Sequence, residues 1–231
     1  MGRTGLRVET SEHGGVAVLR LAGQLLPTDF LLVRDALFGA VFARPPAVVV
    51  DLTGFGAVPP EATAALLAVR QQVVEWPGVP VLLAGPDAGR AWGLPRYDTV
   101  SEAVASVAPG PPRRFVRFPL PPDDAPRFAR LLVEDHCVLR GRQDVAAATG
   151  EVAQRLVGLV DQADLAPTLG VEWWRDRVVV VAGGDGFVPC GFADVRDAVA
   201  PGGAVRCGWV GTWSDSTLVW AVLDPSAAAP R

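Results

Sequence analysis

Apolar residues recur along this chain with two periods, two and about 3.6, and the switches between them mark out the elements. Gly15 to Leu25 alternates through Val16, Val18, Leu19 and Leu21, which predicts a strand after the turn at His13-Gly14-Gly15. Thr28 or Asp29 stands where it can cap a helix over Phe30 to Phe42, with Leu31, Leu32, Leu37, Val41 and Phe42 available for a buried face. Ala47 to Leu52 is a short Val-rich run between Pro45-Pro46 and Thr53-Gly54, the pattern of a buried strand that ends in a tight turn. Pro59-Pro60-Glu61 then opens a helix that continues to Val74. Proline fits a first helical turn because its missing N–H costs nothing there, and an acid is favoured at the positive end of the helix dipole. Pro80 to Ala84 predicts another short strand, and Ser101–Val107 a further helix.

Pro109-Gly110-Pro111-Pro112 is a stiff, uncharged connector and predicts a domain boundary. Residues 1–108 form the first expected domain, 109–112 the linker, 113–225 the second domain and 226–231 a tail. Arg114 to Leu120 alternates through Phe115, Phe118 and Leu120 as a strand does. Pro121-Pro122-Asp123-Asp124 can start a helix through Phe128, Leu131, Leu132 and Val133, with the two acids as a capping pair. Asp144 to Val160 carries Val145, Ala148, Val152, Leu156 and Leu159 on one helical stripe. Leu169 to Trp174 and Val178 to Ala182 predict two strands joined at Arg175-Asp176-Arg177, and Thr217 to Leu223 a last one. Trp173 and Trp174, adjacent in a strand, are expected on opposite faces, one in the core and one outside. The fold class predicted is α/β.

Half of the 231 residues are hydrophobic and a fifth are charged, so each half can bury a core. The net charge is −4: eight Arg face ten acids in residues 1–112, and thirteen face fifteen in 113–231. No basic face concentrates in either half, which argues against direct nucleic-acid binding. All basic residues are Arg, so the chain offers neither a P-loop lysine nor a Schiff-base lysine. Three dispersed cysteines and two histidines, without a Cys-x-x-Cys, argue against zinc and for a reducing compartment. His136-Cys137 is not read as a dyad, because sequence neighbours on a helix do not face each other. No apolar signal region opens the chain and no run reaches transmembrane length, so a cytoplasmic location is expected.

The first half resembles the STAS domain of bacterial anti-sigma factor antagonists. The resemblance rests on Gly23-Gln24-Leu25, on Asp51-Leu52-Thr53-Gly54 at the end of a strand, and on the order of elements over about residues 5–108. In that family the strand ends in Asp-Leu-Ser-Gly, and a serine at the next helix start accepts a phosphate from a partner kinase. Here Pro59, Pro60 and Glu61 hold the matching place, so the resemblance implies a degenerate phosphoacceptor position. Glu61 is either a first-turn acid or a weak imitation of phosphoserine, with one charge against nearly two. The helix that the family carries after its third strand is shortened at Asp87–Tyr97.

The second half is similar in element order to the anti-sigma serine kinases, which have the histidine-kinase-like (GHKL) ATPase fold, an α/β sandwich. That family's chemistry uses Glu-x-x-x-Asn on a helix, the Glu as base and the Asn as a magnesium ligand. The matching run is Glu151-Val-Ala-Gln-Arg155, and a guanidinium has no acceptor for a cation. The adenine-reading Asp-x-Gly-x-Gly falls on Gly183-Gly184-Asp185-Gly186-Phe187, with Gly184 at the Asp position unless the match slips to Asp185. Cys190-Gly191-Phe192-Ala193-Asp194 is the nearest remnant of the glycine-rich phosphate loop.

Glu151, Arg155, Gly184, Asp185 and Gly186 thus mark a vestigial nucleotide pocket, with no cofactor, no metal and no catalytic residue expected. The resemblance implies a non-catalytic regulator or scaffold of partner-switching type, binding anti-sigma, anti-anti-sigma or sigma factor-like proteins. Two other readings stay open: a serine kinase or nucleotide-binding protein with a rearranged ATP site, and a binding module of another class, since STAS domains also serve in transport and lipid trafficking.

Overall fold

A computed structural model describes residues 5–24, 26–55, 60–73, 76–85, 93–108, 114–161, 167–174, 177–185, 188, 190–211 and 216–224. The chain divides into two compact units, Met1–Gly110 and Pro111–Arg231. Among the described residues it is mixed α/β, with two five-stranded sheets and six α-helices.

In the first unit, β1 (Arg7–His13) and β2 (Val16–Ala22) form an antiparallel hairpin closed by Gly14 and Gly15. Both glycines have positive φ, 58° and 82°, as a tight two-residue hairpin turn requires. The pattern predicted β2 but not β1. Six of the seven β1 residues are exposed, so this edge strand lacks the apolar alternation that would reveal it. A short 3₁₀ turn (Pro27–Asp29) leads into α1 (Phe30–Phe42), then β3 (Val48–Gly54), α2 (Pro60–Val73), β4 (Val81–Ala84), β5 (Arg96–Tyr97) and α3 (Val100–Ala105). The sheet runs in order β1 to β5, and β2 through β5 are parallel. Val16, Val18, Val49, Leu82 and Ala84 pack with Ala103 of α3 on one face. The alternate residues Leu19, Leu21, Val48, Val50 and Leu83 are fully buried on the other. Burial on both faces explains why β3 reads as a continuous apolar run and not as an alternation.

In the second unit the order is β6 (Arg114–Phe118), α4 (Ala125–Leu139), α5 (Gln143–Val160), β7 (Thr168–Trp174), β8 (Arg177–Asp185), α6 (Phe192–Val199), β9 (Arg206–Gly211) and β10 (Ser216–Leu223). All pairings are antiparallel, in the order β6-β7-β8-β10-β9. Leu169, Val171, Val178, Val180, Val219 and Ala221 meet Val133, Cys137, Val152 and Leu156 of α4 and α5 in one core.

One expectation for this unit is corrected. Asp124 does stand before α4, but in the left-handed region (φ 57°) and without a side-chain cap bond, so Asp123-Asp124 is not a capping pair. The face that α4 buries is the small-residue row Ala125, Ala129, Val133 and Cys137, because α4 and α5 pack against each other; Phe128 and Leu131 look outward. Cys190-Gly191-Phe192-Ala193-Asp194 is a helix start: Gly191 precedes α6 and its N–H donates to Asp194 Oδ2 at 2.7 Å. Neither α6 nor β9 was legible in the pattern, since α6 is eight residues long and β9 is interrupted by Gly208 and Gly211.

His136 of α4 fastens that helix to the sheet. Its Nε2 accepts the indole N–H of Trp173 at 3.2 Å, and its ring meets Phe118 edge-on at 5.4 Å. Arg142 lies 5.7 Å above the Trp173 ring. Burial, aided by the charge of Arg140, holds the imidazole below its ordinary pKa of 6.5. A group lowered by folding contributes stability that is complete above its unfolded pKa and declines as pH falls through that value towards the folded one. The unfolding midpoint of the second unit therefore drops between about pH 7.5 and pH 5.5. His136→Gln, which keeps an acceptor but does not titrate, flattens that drop in denaturant titrations at both pH values.

Candidate functional site

The end of β3 is the best-built polar feature of the first unit. Asp51 and Arg20 are register partners on the parallel strands β3 and β2, and each is the one charged residue of its strand. Asp51 is 1% exposed. Its Oδ2 accepts Arg20 Nε at 2.8 Å, while its Oδ1 accepts the Thr53 N–H at 3.0 Å and the Thr53 hydroxyl at 2.6 Å. Burial by itself works to raise the carboxyl; the Thr53 hydroxyl, Arg20 and the Thr53 amide together outweigh it and hold the group below the ordinary carboxylate range. Gly54 sits where a Cβ would come within 3.0 Å of the Leu21 carbonyl, so the turn after Thr53 passes tightly against β2.

Asp51 is therefore a clamp on the strand end that feeds the loop to α2. The Thr53 hydroxyl is committed to that clamp. Pro60 and Glu61 are the first two residues of α2; Pro59 lies outside the described residues. The Asp51–Arg20 pair was missed in the sequence, although a single charge inside each of two apolar runs, Val16–Ala22 and Val48–Gly54, is the signal that could have found it.

In the second unit, Glu151 and Arg155 lie one turn apart on the outer side of α5. Arg155 Nη2 reaches Glu151 Oε1 at 2.8 Å and Nε reaches the same oxygen at 3.2 Å. Gly184 pairs with Thr217 across β8 and β10, and a Cβ there would stand 3.2 Å from the Val160 carbonyl at the end of α5. Glu151 is nine residues from Val160, about 13 Å along a helix axis. The backbone thus brings Gly184 to the far end of α5, about two and a half turns from Glu151 and about one and a half from Arg155. Asp185 is the last residue of β8, and Gly186 lies outside the described residues. Thr217, 1% exposed, accepts the Val188 N–H on its hydroxyl at 3.0 Å and ties the segment after β8 back to β10.

The thiols offer no activated nucleophile. Burial pushes Cys137, Cys190 and Cys207 all upward, with Thr149 opposing it at Cys137 and Trp209 at Cys190. Cys137 points into the core while His136 faces Phe118 and Trp173, so the two do not act together. Among the described residues no group of three His, Cys, Asp or Glu is placed to hold a metal, and no helix is long and apolar enough to cross a membrane. An open cleft of about 870 Å³ lies between β1 and α1, lined largely by Gly15, Ala17, Ala36, Gly39, Ala40 and Ala43; none of the sequence candidates borders it.

No family model and no curated protein matches the sequence. Among solved structures, the chain is similar to an anti-sigma factor antagonist from Mycobacterium paratuberculosis, at 23% identity and a TM-score of 0.38, over 44% of this chain and 93% of that one. It is also similar to Moorella thermoacetica RsbS carrying a serine-to-glutamate substitution, at 14% identity and a TM-score of 0.38, over 44% of this chain and 94% of that one.

Proposed function

We propose that this chain is a non-catalytic regulator of the anti-sigma/anti-anti-sigma partner-switching type, acting through protein–protein binding by a STAS-like first unit and a degenerate GHKL-like second unit. The observation that carries the reading is the Glu151–Arg155 ion pair. In a GHKL-type site the Glu has to accept a proton and its helical neighbour has to bind magnesium. Here the neighbour is a cation that occupies the Glu, and a guanidinium supplies no lone pair to a metal. Phosphoryl transfer rests almost wholly on metal-assisted positioning, so losing the metal ligand removes the core of that chemistry.

The first unit supports the same reading. The clamp at Asp51 fixes the end of β3, and the positions that would carry a phosphoacceptor are Pro59, Pro60 and Glu61, none of which has a hydroxyl. Partners are accordingly proteins of the switch: an anti-sigma factor, its antagonist, or a sigma factor-like protein.

Isothermal titration of the full chain with ATP and magnesium tests this directly. The expected result is no binding tighter than about 1 mM, which corresponds to roughly 4 kcal/mol. A tighter complex that is lost in Glu151→Gln would overturn the non-catalytic reading in favour of a nucleotide-binding protein with a rearranged site. Incubation with a STAS-directed serine kinase and ATP is likewise expected to leave residues 53–63 unmodified by mass spectrometry.

A further inference from the structure

Helix α1 is apolar nearly all the way round. Its two charged residues, Arg34 and Asp35, are bonded to each other: Asp35 Oδ1 accepts Arg34 Nε at 2.9 Å and Nη2 at 2.8 Å. Val33, Leu37, Phe38 and Val41 are buried within the first unit. Leu32, Ala36, Gly39 and Ala43 run along the side away from them, with the 4-3-4 spacing of a helix-pairing seam. A helix that is apolar on all sides is one that is covered on all sides. This stripe is open. Leu32 is 50% exposed, the one exposed large apolar side chain among the described residues of the first unit, and Gly39 and Ala43 are exposed as well.

The stripe has a knob at one end and a hollow at the other. Leu32 projects from the first turn of α1. Gly39 and Ala43 leave the last turns bare, and they stand in the wall of the cleft between β1 and α1. A second α1 laid antiparallel across the first, with the two-fold axis midway between Ala36 and Gly39, sets Leu32 of each copy against Ala43 of the other. It also sets Ala36 against Gly39. All four stripe residues are then covered, large on small. A parallel pair would set Leu32 against Leu32 and leave a gap between the facing Gly39 and Ala43 positions. The surface is thus self-complementary in the antiparallel orientation, as an isologous two-fold contact must be. That orientation also opposes the two helix dipoles. Arg34 and Asp35 lie off the stripe, so the pairing buries no lone charge.

We propose that the chain forms a homodimer through antiparallel α1–α1 pairing, with Leu32 of each copy seated over Gly39 and Ala43 of the other. The small residues let the two helix axes come near the lower end of the usual range of about 8–10 Å. One helix pair buries area near or below the ~1,200 Å² lower end of stable interfaces, so the equilibrium lies in the micromolar range.

Sedimentation equilibrium of the full chain tests this between about 1 and 200 µM. The wild type is expected to dimerise. L32E and A43R, each alone, put a charge against an apolar neighbour twice in every dimer and raise the dissociation constant about tenfold or more. Mixed in equal amounts they form a heterodimer, because Glu and Arg then meet at one contact and the native Leu32–Ala43 contact survives at the other. A parallel pair would bring neither together and would not recover. A wild type that stays monomeric at about 200 µM overturns the proposal, and means that something other than a second copy covers α1. A dimer indifferent to L32E, or single variants that do not recover on mixing, overturns it as well. Both changes are at exposed positions, and circular dichroism of each variant separates dissociation from misfolding.

Discussion

Asp51→Ala is expected to destabilise the first unit by about 3 kcal/mol, because it deletes a buried carboxylate that accepts three hydrogen bonds. Arg20 is 60% exposed and can return to water, so its share of the loss is small. The Thr53 amide and hydroxyl, by contrast, lose their acceptor at a strand end crowded by Gly54 and the Leu21 carbonyl. Asp51→Asn keeps the shape and one acceptor oxygen but not the charge, and should cost about half as much. Hydrogen exchange at the amides of β2, β3 and β4 reads this unit separately, which matters because a two-unit chain need not unfold in one step. The pH dependence has a definite sign. The folded Asp51 carboxyl lies below the ordinary range, so its stabilisation is complete above that range and is lost as pH falls through the folded value. The Asp51→Ala variant should therefore lose less stability than wild type on acidification. Unchanged protection in Asp51→Ala would show that the clamp is incidental to the strand end.

Gly208→Val is expected to cost the second unit about 3 kcal/mol or more, through overpacking. Gly208 on β9 is the register partner of Trp220 on β10, and the indole lies over it: a Cβ at 208 would stand 2.3 Å from two ring atoms. Trp220 is only 3% exposed, and its neighbours on that face, Val181, Val210 and Val222, are buried too, so the ring has no room to withdraw. An aromatic ring laid over a cross-strand glycine is a recurrent way to cover an otherwise bare backbone position. Gly208→Ala should be destabilising in the same direction by a smaller amount. Gly203, whose added Cβ would meet nothing but whose φ is +73°, supplies a contrast: alanine there costs through backbone strain alone, about 1 kcal/mol. Guanidinium titration followed by tryptophan emission ranks the three. Equal midpoints for wild type and Gly208→Val would mean that the sheet edge yields and the ring packing is not limiting.

The chain's local signals determined most of its elements. Val-rich runs bounded by glycine and proline marked β2, β3, β4, β8 and β10, because a strand buried on one or both faces must be apolar wherever it meets the core. The stripe through Val145, Val152 and Leu156 marked α5, and the absence of hydroxyls at Pro59, Pro60 and Glu61 is a fact of the sequence alone. What stayed hidden had no local signal to give. Strand β1 is an edge with water on most of its residues, and α6 and β9 are short or broken by glycine, so their order comes from pairing and packing with neighbours distant in the chain.

The tertiary structure alone decided which face of α4 is buried. Both Phe128–Leu131 and Ala129–Val133 satisfy helical periodicity, and the choice went to the small residues where α4 and α5 approach closely, with Gly150 of α5 directly under the Glu134 side chain of α4. It also decided that Arg20 and Asp51, thirty-one residues apart, meet across two parallel strands, that Arg155 closes on Glu151, and that Trp220 rests on Gly208. Charge and hydropathy along a chain report what each residue needs. Which partner meets that need depends on strand register and helix packing, and these are properties of the assembled fold.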